Sequence, residues 1–178
     1  MSAVTDVNAA LVEMQQPSFW MTPFVKAAVH VIPTMLGSPC EPGEPDSVSA
    51  GHRMHDLTSV IGMSGVVSGS LAFSVAEQGA ITMLERMTGV ETTEVDELVR
   101  DVVGEMANMI AGAGKVDLEQ FSMKLGLPQV ILGHDYAVYA PRWSIHQWVP
   151  LNTDFGPCSL TLGFNLAGLR SYLMDGSR

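Results

Sequence analysis

The stretch DVVGEMANMIAGAGK, residues 101–115, shows the clearest structural pattern in this 178-residue sequence. When each residue advances about 100° around a helix axis, its polar and small residues gather on one narrow face. That face contains Asp101, Gly104, Glu105, Asn108, Gly112 and Lys115. The apolar face, expected to pack on a sheet, contains Val95, Leu98, Val99, Val102, Met106, Met109, Ile110, Ala113 and Val116. The pattern predicts a long amphipathic helix over Val95–Phe121, with Thr92 or Thr93 as its N-cap.

The polar face contains residues that stability alone would not favour. Asn and Gly in a helix interior cost about 0.7 and 1 kcal/mol relative to Ala. Glycines on an exposed face let another backbone approach, and Glu105 and Asn108 lie between Gly104 and Gly112, about one turn apart. These residues fit a docking surface, but the solvated side of an ordinary amphipathic helix would also be polar. The residues alone leave both interpretations open.

Before this stretch, the sequence predicts one further helix and an exposed loop. Apolar residues at helical spacing predict a helix over Phe19–Met35, which Pro33 kinks or ends. Three prolines and three acidic residues in Pro39–Asp46 predict an exposed loop. Residues 1–18 are interpreted as a leader, either a frayed helix or a mobile segment.

A β-hairpin is predicted between these segments and the long helix. Leu57–Met63 and Ser70–Val75 are apolar runs of strand length, separated by Ser-Gly turn residues. Ser74 and Glu77 have the spacing of a capping box, which predicts a short helix that ends at Gly89.

Three strands are predicted after the long helix, over Gln129–Tyr139, Trp143–Leu151 and Cys158–Phe164. Helices and strands are therefore segregated along the chain. This order predicts an α+β domain over residues 19–178, with a mostly antiparallel sheet and the candidate site on the long helix.

Composition excludes several classes of function. The net charge of −10 and the lack of a basic patch argue against nucleic acid as a partner. No apolar stretch approaches the ~20 residues of a membrane helix. The first basic residue is Lys26, so an export signal is not expected, and Cys40 and Cys158 are expected to be free thiols in the cytoplasm. His52 and His55 lack a complete ligand set, so no metal site is predicted.

Residues 101–115 resemble the signature helix of the CheX/CheC/FliY family of chemotaxis phosphatases, and the CheX branch is the most similar. The similarity extends to three further segments: Phe24-Val25-Lys26-Ala27 with Thr34-Met35, Val60–Gly65 with Gly69–Leu71, and Leu127–Gly133. Glu105-Met106-Ala107-Asn108 is the single E-x-x-N in the chain, whereas CheC and FliY members have two. The resemblance therefore implies one site per subunit.

The resemblance implies hydrolysis of the aspartyl phosphate of a CheY-type response regulator. Asn108 would orient the attacking water and Glu105 would pair with the active-site lysine of the regulator. Asp101, Gly104, Gly112 and Lys115 would form the surrounding contact surface. The resemblance also implies a homodimer, with Mg²⁺ supplied by the regulator and no cofactor of the protein's own.

Two other functions remain compatible with the same residues. The first is a non-catalytic dimeric module that binds a phosphorylated receiver or a component of the flagellar switch. The second is a structural dimerisation domain whose polar helix face is merely solvated.

Overall fold

The chain forms a main antiparallel sheet with its longest helices packed against one face. The computed structural model describes residues 2–47, 52–139 and 144–175. The helices in these ranges are α1 (Ser2–Met14), α2 (Pro17–Leu36), α3 (Glu77–Thr88), α4 (Glu97–Gly114) and α5 (Leu169–Asp175). The strands are β1 (Cys40–Pro42), β2 (His52–Arg53), β3 (Leu57–Ser64), β4 (Ser68–Val75), β5 (Lys124–Leu125), β6 (Gln129–Leu132), β7 (Ala137–Val138), β8 (Ile145–Thr153) and β9 (Cys158–Asn165). A 3-10 segment, Lys115–Phe121, follows α4 directly.

The predicted hairpin lies near the middle of the sheet. The strand order is β1-β8-β9-β4-β3-β5, and β6 pairs with the same edge of β3 as β5. The two strands of the hairpin pair from Leu57 opposite Val75 to Met63 opposite Gly69. Both the hairpin and the α+β class with a mostly antiparallel sheet are confirmed.

The core lies between this sheet and the helices. Leu57 and Ile61 of β3 and Leu71 and Phe73 of β4 are fully buried at alternate positions, as expected for the covered face of a sheet. Helix α4 packs between α2 and α3 and over β3, so the central strands and the candidate site share one rigid layer. Burial of this apolar surface holds α4 in place.

Helix α2 confirms the helix predicted over Phe19–Met35. Pro33 lies in its last turn, and the helix ends at Gly37, whose left-handed conformation (φ 62°) lets its N–H donate to the Pro33 carbonyl at 2.9 Å. Helix α1 precedes it, and the Trp20 indole N–H donates to the Met14 carbonyl at 2.6 Å.

Part of the predicted loop Pro39–Asp46 is instead a strand. Residues Cys40–Pro42 form β1, which pairs with Leu151–Thr153 of β8, and Asp46 bridges to Trp148. The prediction of a loop was wrong there because the edge of β8 supplies hydrogen-bond partners that local composition does not reveal.

The predicted capping box at Ser74 and Glu77 is also wrong. Ala76 occupies the N-cap of α3, and the Ser74 hydroxyl lies within the sheet, 2.8 Å from that of Thr58. The Asp56 carboxylate accepts the Glu77 backbone N–H instead, at 2.9 Å. The end of the helix at Gly89 is confirmed.

The predicted strand Gln129–Tyr139 is two short strands, because β6 ends at Leu132 and β7 pairs with β2 in a separate two-stranded sheet. The second predicted strand, Trp143–Leu151, corresponds to β8, which runs from Ile145 to Thr153. Trp143 itself lies outside the described residues. The third strand is confirmed as β9, whereas β5 and α5 were not predicted.

Candidate functional site

The candidate site lies on the exposed face of α4. The side chain of Asp96 accepts the Val99 N–H at 3.0 Å, so Asp96 is the N-cap rather than Thr92 or Thr93. The α-helix ends at Gly114 and changes to 3-10 geometry, so the predicted extension to Phe121 was too long. These two ends fix the length of the rigid surface on which the site is built.

Glu105 and Asn108 are both exposed and lie on the same side of α4, three residues apart. Neither side chain has a hydrogen-bond or ion-pair partner within the described ranges. Met106 and Ala107 between them are fully buried, so the helix cannot rotate without exposing its core. The site therefore presents one carboxylate and one carboxamide to solvent from a fixed backbone.

The surrounding predicted residues divide into exposed and buried positions. Asp101 is exposed, and Gly112 and Lys115 are partly exposed, as the helical pattern predicted. Gly112 has open space around it: a Cβ there would meet no atom within 4 Å. Lys115 is the first residue of the 3-10 segment rather than part of α4, and it borders an open hollow of about 340 Å³.

Gly104 does not share the exposed face, so the sequence prediction for this residue was wrong in that respect. It is buried, and a Cβ at this position would lie 3.6 Å from Val130 Cγ2 and 3.8 Å from Pro128 Cβ. The segment that leads into β6 thus covers one flank of α4. This cover could not be foreseen from helical periodicity, because it depends on a segment over 20 residues away in the chain.

On the opposite flank of α4, two apolar residues that were predicted to be buried are exposed to solvent. Leu98 and Val116 are 48% and 64% exposed, although both were assigned to the buried face. The buried face instead extends to Val103, Ala107 and Ala111. The polar face is consequently bordered by solvent-exposed apolar side chains.

No group of three or more His, Cys, Asp or Glu side chains that could hold a metal ion is found among the described residues. In the same ranges, no helix has the length and apolar character needed to cross a membrane.

A family model described as chemotaxis phosphatase CheX matches residues 57–151, a range that contains α4 with Glu105 and Asn108. The chain belongs to the CheX family. One relative, the CheY-P phosphatase CheX of Thermotoga maritima, is 31% identical over 117 residues, which are 64% of this chain and 76% of the relative.

Solved structures of CheX proteins share the fold. The chemotaxis protein CheX from Vibrio vulnificus is 25% identical and superimposes with a TM-score of 0.75, covering 82% of this chain and 99% of the other. A CheX–CheY–BeF₃–Mg²⁺ complex from Borrelia burgdorferi is 22% identical, with a TM-score of 0.68 and coverage of 82% and 97%. At the latter identity the likeness concerns the fold.

Proposed function

We propose that this CheX-family protein hydrolyses the aspartyl phosphate of a CheY-type response regulator, with the exposed face of α4 inserted into the regulator's active site. The observation that carries the proposal is the exposed pair Glu105 and Asn108 on a rigid helix face, neither of which has a partner among the residues that the structure describes. The names of two relatives, a CheY-P phosphatase and a CheX–CheY complex, support the choice of substrate.

Asn108 is proposed to position the attacking water. The water oxygen bonds to phosphorus as the bond from phosphorus to the aspartyl oxygen breaks, which releases inorganic phosphate and restores the carboxylate. The water proton passes to the phosphate or to solvent. Phosphoryl transfer depends mainly on alignment and charge compensation, and a carboxamide can both donate to and accept from a water without changing its own protonation state.

Glu105 is proposed to pair with the active-site lysine of the regulator. A carboxylate and an ammonium form a charge-assisted hydrogen bond, which is stronger than a neutral one. Because Glu105 lies one turn from Asn108, this contact would orient the carboxamide over the phosphoryl group. The regulator would supply Mg²⁺, so the phosphatase would need no cofactor of its own.

The neighbouring residues are proposed to shape the contact. Gly112 leaves room for the backbone of the regulator, and Asp101 and Lys115 border the same face. Gly104 is proposed to contribute from beneath the surface, where it is buried beside the segment that leads into β6.

Phosphate release from a phosphorylated CheY-type receiver in the presence of Mg²⁺ tests the proposal. Wild type should accelerate release over receiver autodephosphorylation, and Asn108→Ala and Glu105→Ala should lose most of that acceleration. Gln78→Ala and Glu85→Ala are matched controls, since they remove an exposed carboxamide and an exposed carboxylate from α3. Both controls should retain wild-type activity.

A binding measurement separates the enzyme from a non-catalytic module. Asn108→Ala should still bind a receiver loaded with BeF₃⁻ and Mg²⁺, because the proposed role of Asn108 is to position water. If wild type binds the loaded receiver but does not accelerate phosphate release, the protein is a binding module and the enzymatic proposal is wrong.

We also propose that the protein forms a homodimer with one site per subunit. The single E-x-x-N motif supports one site in each chain. Light scattering coupled to size-exclusion chromatography should give twice the 19.1 kDa mass of the chain. A monomeric mass at micromolar concentration would contradict the dimer.

A further inference from the structure

Leu127 is an exposed apolar residue between β5 and β6. Its exposure is 86%, the highest among the large apolar residues of the described ranges. A single exposed leucine is common on protein surfaces and by itself indicates nothing. The way in which the backbone holds Leu127, and its position beside α4, distinguish it.

Leu127 lies in a β-bulge. Leu125 of β5 pairs with Met63, and Gln129 of β6 pairs with Val60 on the same strand. The two residues 61–62 of β3 are therefore opposed by the three residues 126–128. The additional residue bends the strand, and such bulges commonly redirect a side chain next to a functional site.

Both sides of the bulge are fixed. The Gly126 N–H donates to the Gly62 carbonyl at 2.8 Å, and a Cβ on Gly126 would lie 3.3 Å from that oxygen. On the other side, Pro128 lies near buried Gly104, where a Cβ would be 3.8 Å from its ring, and it restricts the backbone of Leu127, which precedes it. Since the backbone is already ordered, little conformational entropy remains to be lost when Leu127 is covered by a partner.

The bulge borders the candidate site directly. Pro128 lies close to Gly104, because a Cβ at position 104 would be 3.8 Å from the Pro128 ring, and Gly104 immediately precedes Glu105 on α4. Leu127 thus lies on one flank of the polar face, and the exposed side chains of Leu98 and Val116 border the other. A polar centre with an apolar border is the arrangement expected of a protein interface, where apolar anchors exclude water from polar contacts.

We propose that Leu127 is a docking residue that packs into an apolar patch of the receiver domain beside its phosphorylated aspartate. This inference rests on the proposed function and adds a specific affinity determinant to it. The occupant is chosen by charge complementarity at the adjacent site. Glu105 presents an exposed carboxylate with no ion-pair partner among the described residues, and a receiver would bring a lysine and Mg²⁺ toward it.

Calorimetric titration with a CheY-type receiver loaded with BeF₃⁻ and Mg²⁺ tests this role without requiring hydrolysis. Leu127→Ser should weaken Kd about ten- to hundredfold, as expected from loss of a leucine buried at an interface. Leu127→Met should bind nearly as well as wild type, because it retains an apolar side chain of similar size. Val12→Ser is the control, since Val12 is 61% exposed on α1 and should not affect binding.

Enzyme kinetics give a second readout. Leu127→Ser should lower kcat/KM through a higher KM, with kcat unchanged. The reason is that the side chain is proposed to dock the receiver and not to contact the phosphoryl group. Its thermal stability should equal that of wild type, since Leu127 is exposed.

The outcomes distinguish this inference from the proposed function. If wild type hydrolyses the phosphate and Leu127→Ser binds and reacts equally well, only the docking role of Leu127 is wrong. If Leu127→Ser changes the oligomeric mass but not the receiver affinity per subunit, its partner is a second copy and the proposal is overturned. If wild type neither binds nor dephosphorylates CheY-type receivers, both proposals fail.

Discussion

Gly114 at the end of α4 lies directly against Phe24 of α2, with no space for a side chain. A Cβ on Gly114 would lie 2.9 Å from the Cα of Phe24 and would clash with its ring. Both residues are buried, and real Cβ atoms essentially never approach other heavy atoms this closely. The close approach of α2 and α4 at this point therefore requires a glycine.

Gly114→Ala should destabilise the fold by about 1–3 kcal/mol, the usual cost of inserting a methyl group into a packed core. Gly112→Ala is its matched control in the same helix, because a Cβ there meets no atom within 4 Å. That control should stabilise the protein by about 0.5–1 kcal/mol through helix propensity. Chemical denaturation of both variants checks the opposite signs; equal shifts would contradict the close contact with Phe24.

Asn108→Ala should leave the protein as stable as wild type or more stable by up to about 0.7 kcal/mol, because the side chain is exposed, unpartnered and a poorer helix former than alanine. Thermal unfolding measures this change alongside the phosphatase assay. A gain in Tm together with a loss of activity would indicate that Asn108 is retained for function. A clear fall in Tm would show that Asn108 has a structural role.

Asp56 acts as a cap for α3 from outside the helix. Its carboxylate accepts the Glu77 backbone N–H, and this hydrogen bond, with that from His134, lowers the pKa of Asp56 below its ordinary value of 3.8. Asp56→Ala should destabilise the protein by about 0.5–2 kcal/mol, the range for loss of an N-cap acceptor. Asp56→Asn should recover part of this loss, because the amide oxygen can still accept.

The contribution of Asp56 to folding stability should change with pH in a defined direction. A carboxyl whose pKa is lowered in the folded state contributes stability above its unfolded pKa of about 3.8. That contribution should disappear as the pH falls through the lower, folded pKa. Urea unfolding of wild type and Asp56→Ala between about pH 2 and pH 6 checks this prediction.

His134 should stabilise the fold more at acidic than at alkaline pH. Its Nδ1 lies 2.9 Å from Asp56 Oδ1, and this hydrogen bond raises the pKa of His134 above 6.5, with smaller effects from the charges of Asp56, Glu77 and Asp135. The stability that His134 contributes is therefore fully present below about pH 6.5 and is lost as the pH rises through the raised pKa.

Comparison of wild type with His134→Gln separates the pH-dependent stabilisation by His134 from the titration of the other histidines. The difference in stability between the two should be largest at mildly acidic pH and should vanish at alkaline pH. In the Asp56→Ala background the pH-dependent effect of the same substitution should be much smaller, because only the weaker influence of Glu77 and Asp135 remains. A difference that grows with rising pH would contradict the interaction with Asp56.

The two cysteines should resist thiol reagents in the folded protein. Burial raises the pKa of Cys40 to about 11 and that of Cys158 to about 12, so little reactive thiolate is present near neutral pH. Dithionitrobenzoate should label neither thiol until denaturant unfolds the chain, and both thereafter. Rapid labelling of the native protein would contradict the burial of these side chains.

The sequence alone determined the elements whose physical cause is local. Helical periodicity placed Glu105 and Asn108 on one exposed face of α4, and two apolar runs of strand length separated by Ser-Gly turns predicted the β3–β4 hairpin. These patterns succeed because a regular element buries one side along its whole length, which marks its own residues. The resemblance to the CheX family followed from the same segments.

Only the tertiary structure decided which surfaces are covered by distant parts of the chain. It buried Gly104 under Pro128, supplied the cap of α3 from Asp56, and paired Cys40–Pro42 with β8. It also placed Leu127 in a bulge beside the site. Each of these features depends on a contact between segments far apart in sequence, and such contacts leave no periodic pattern in either segment.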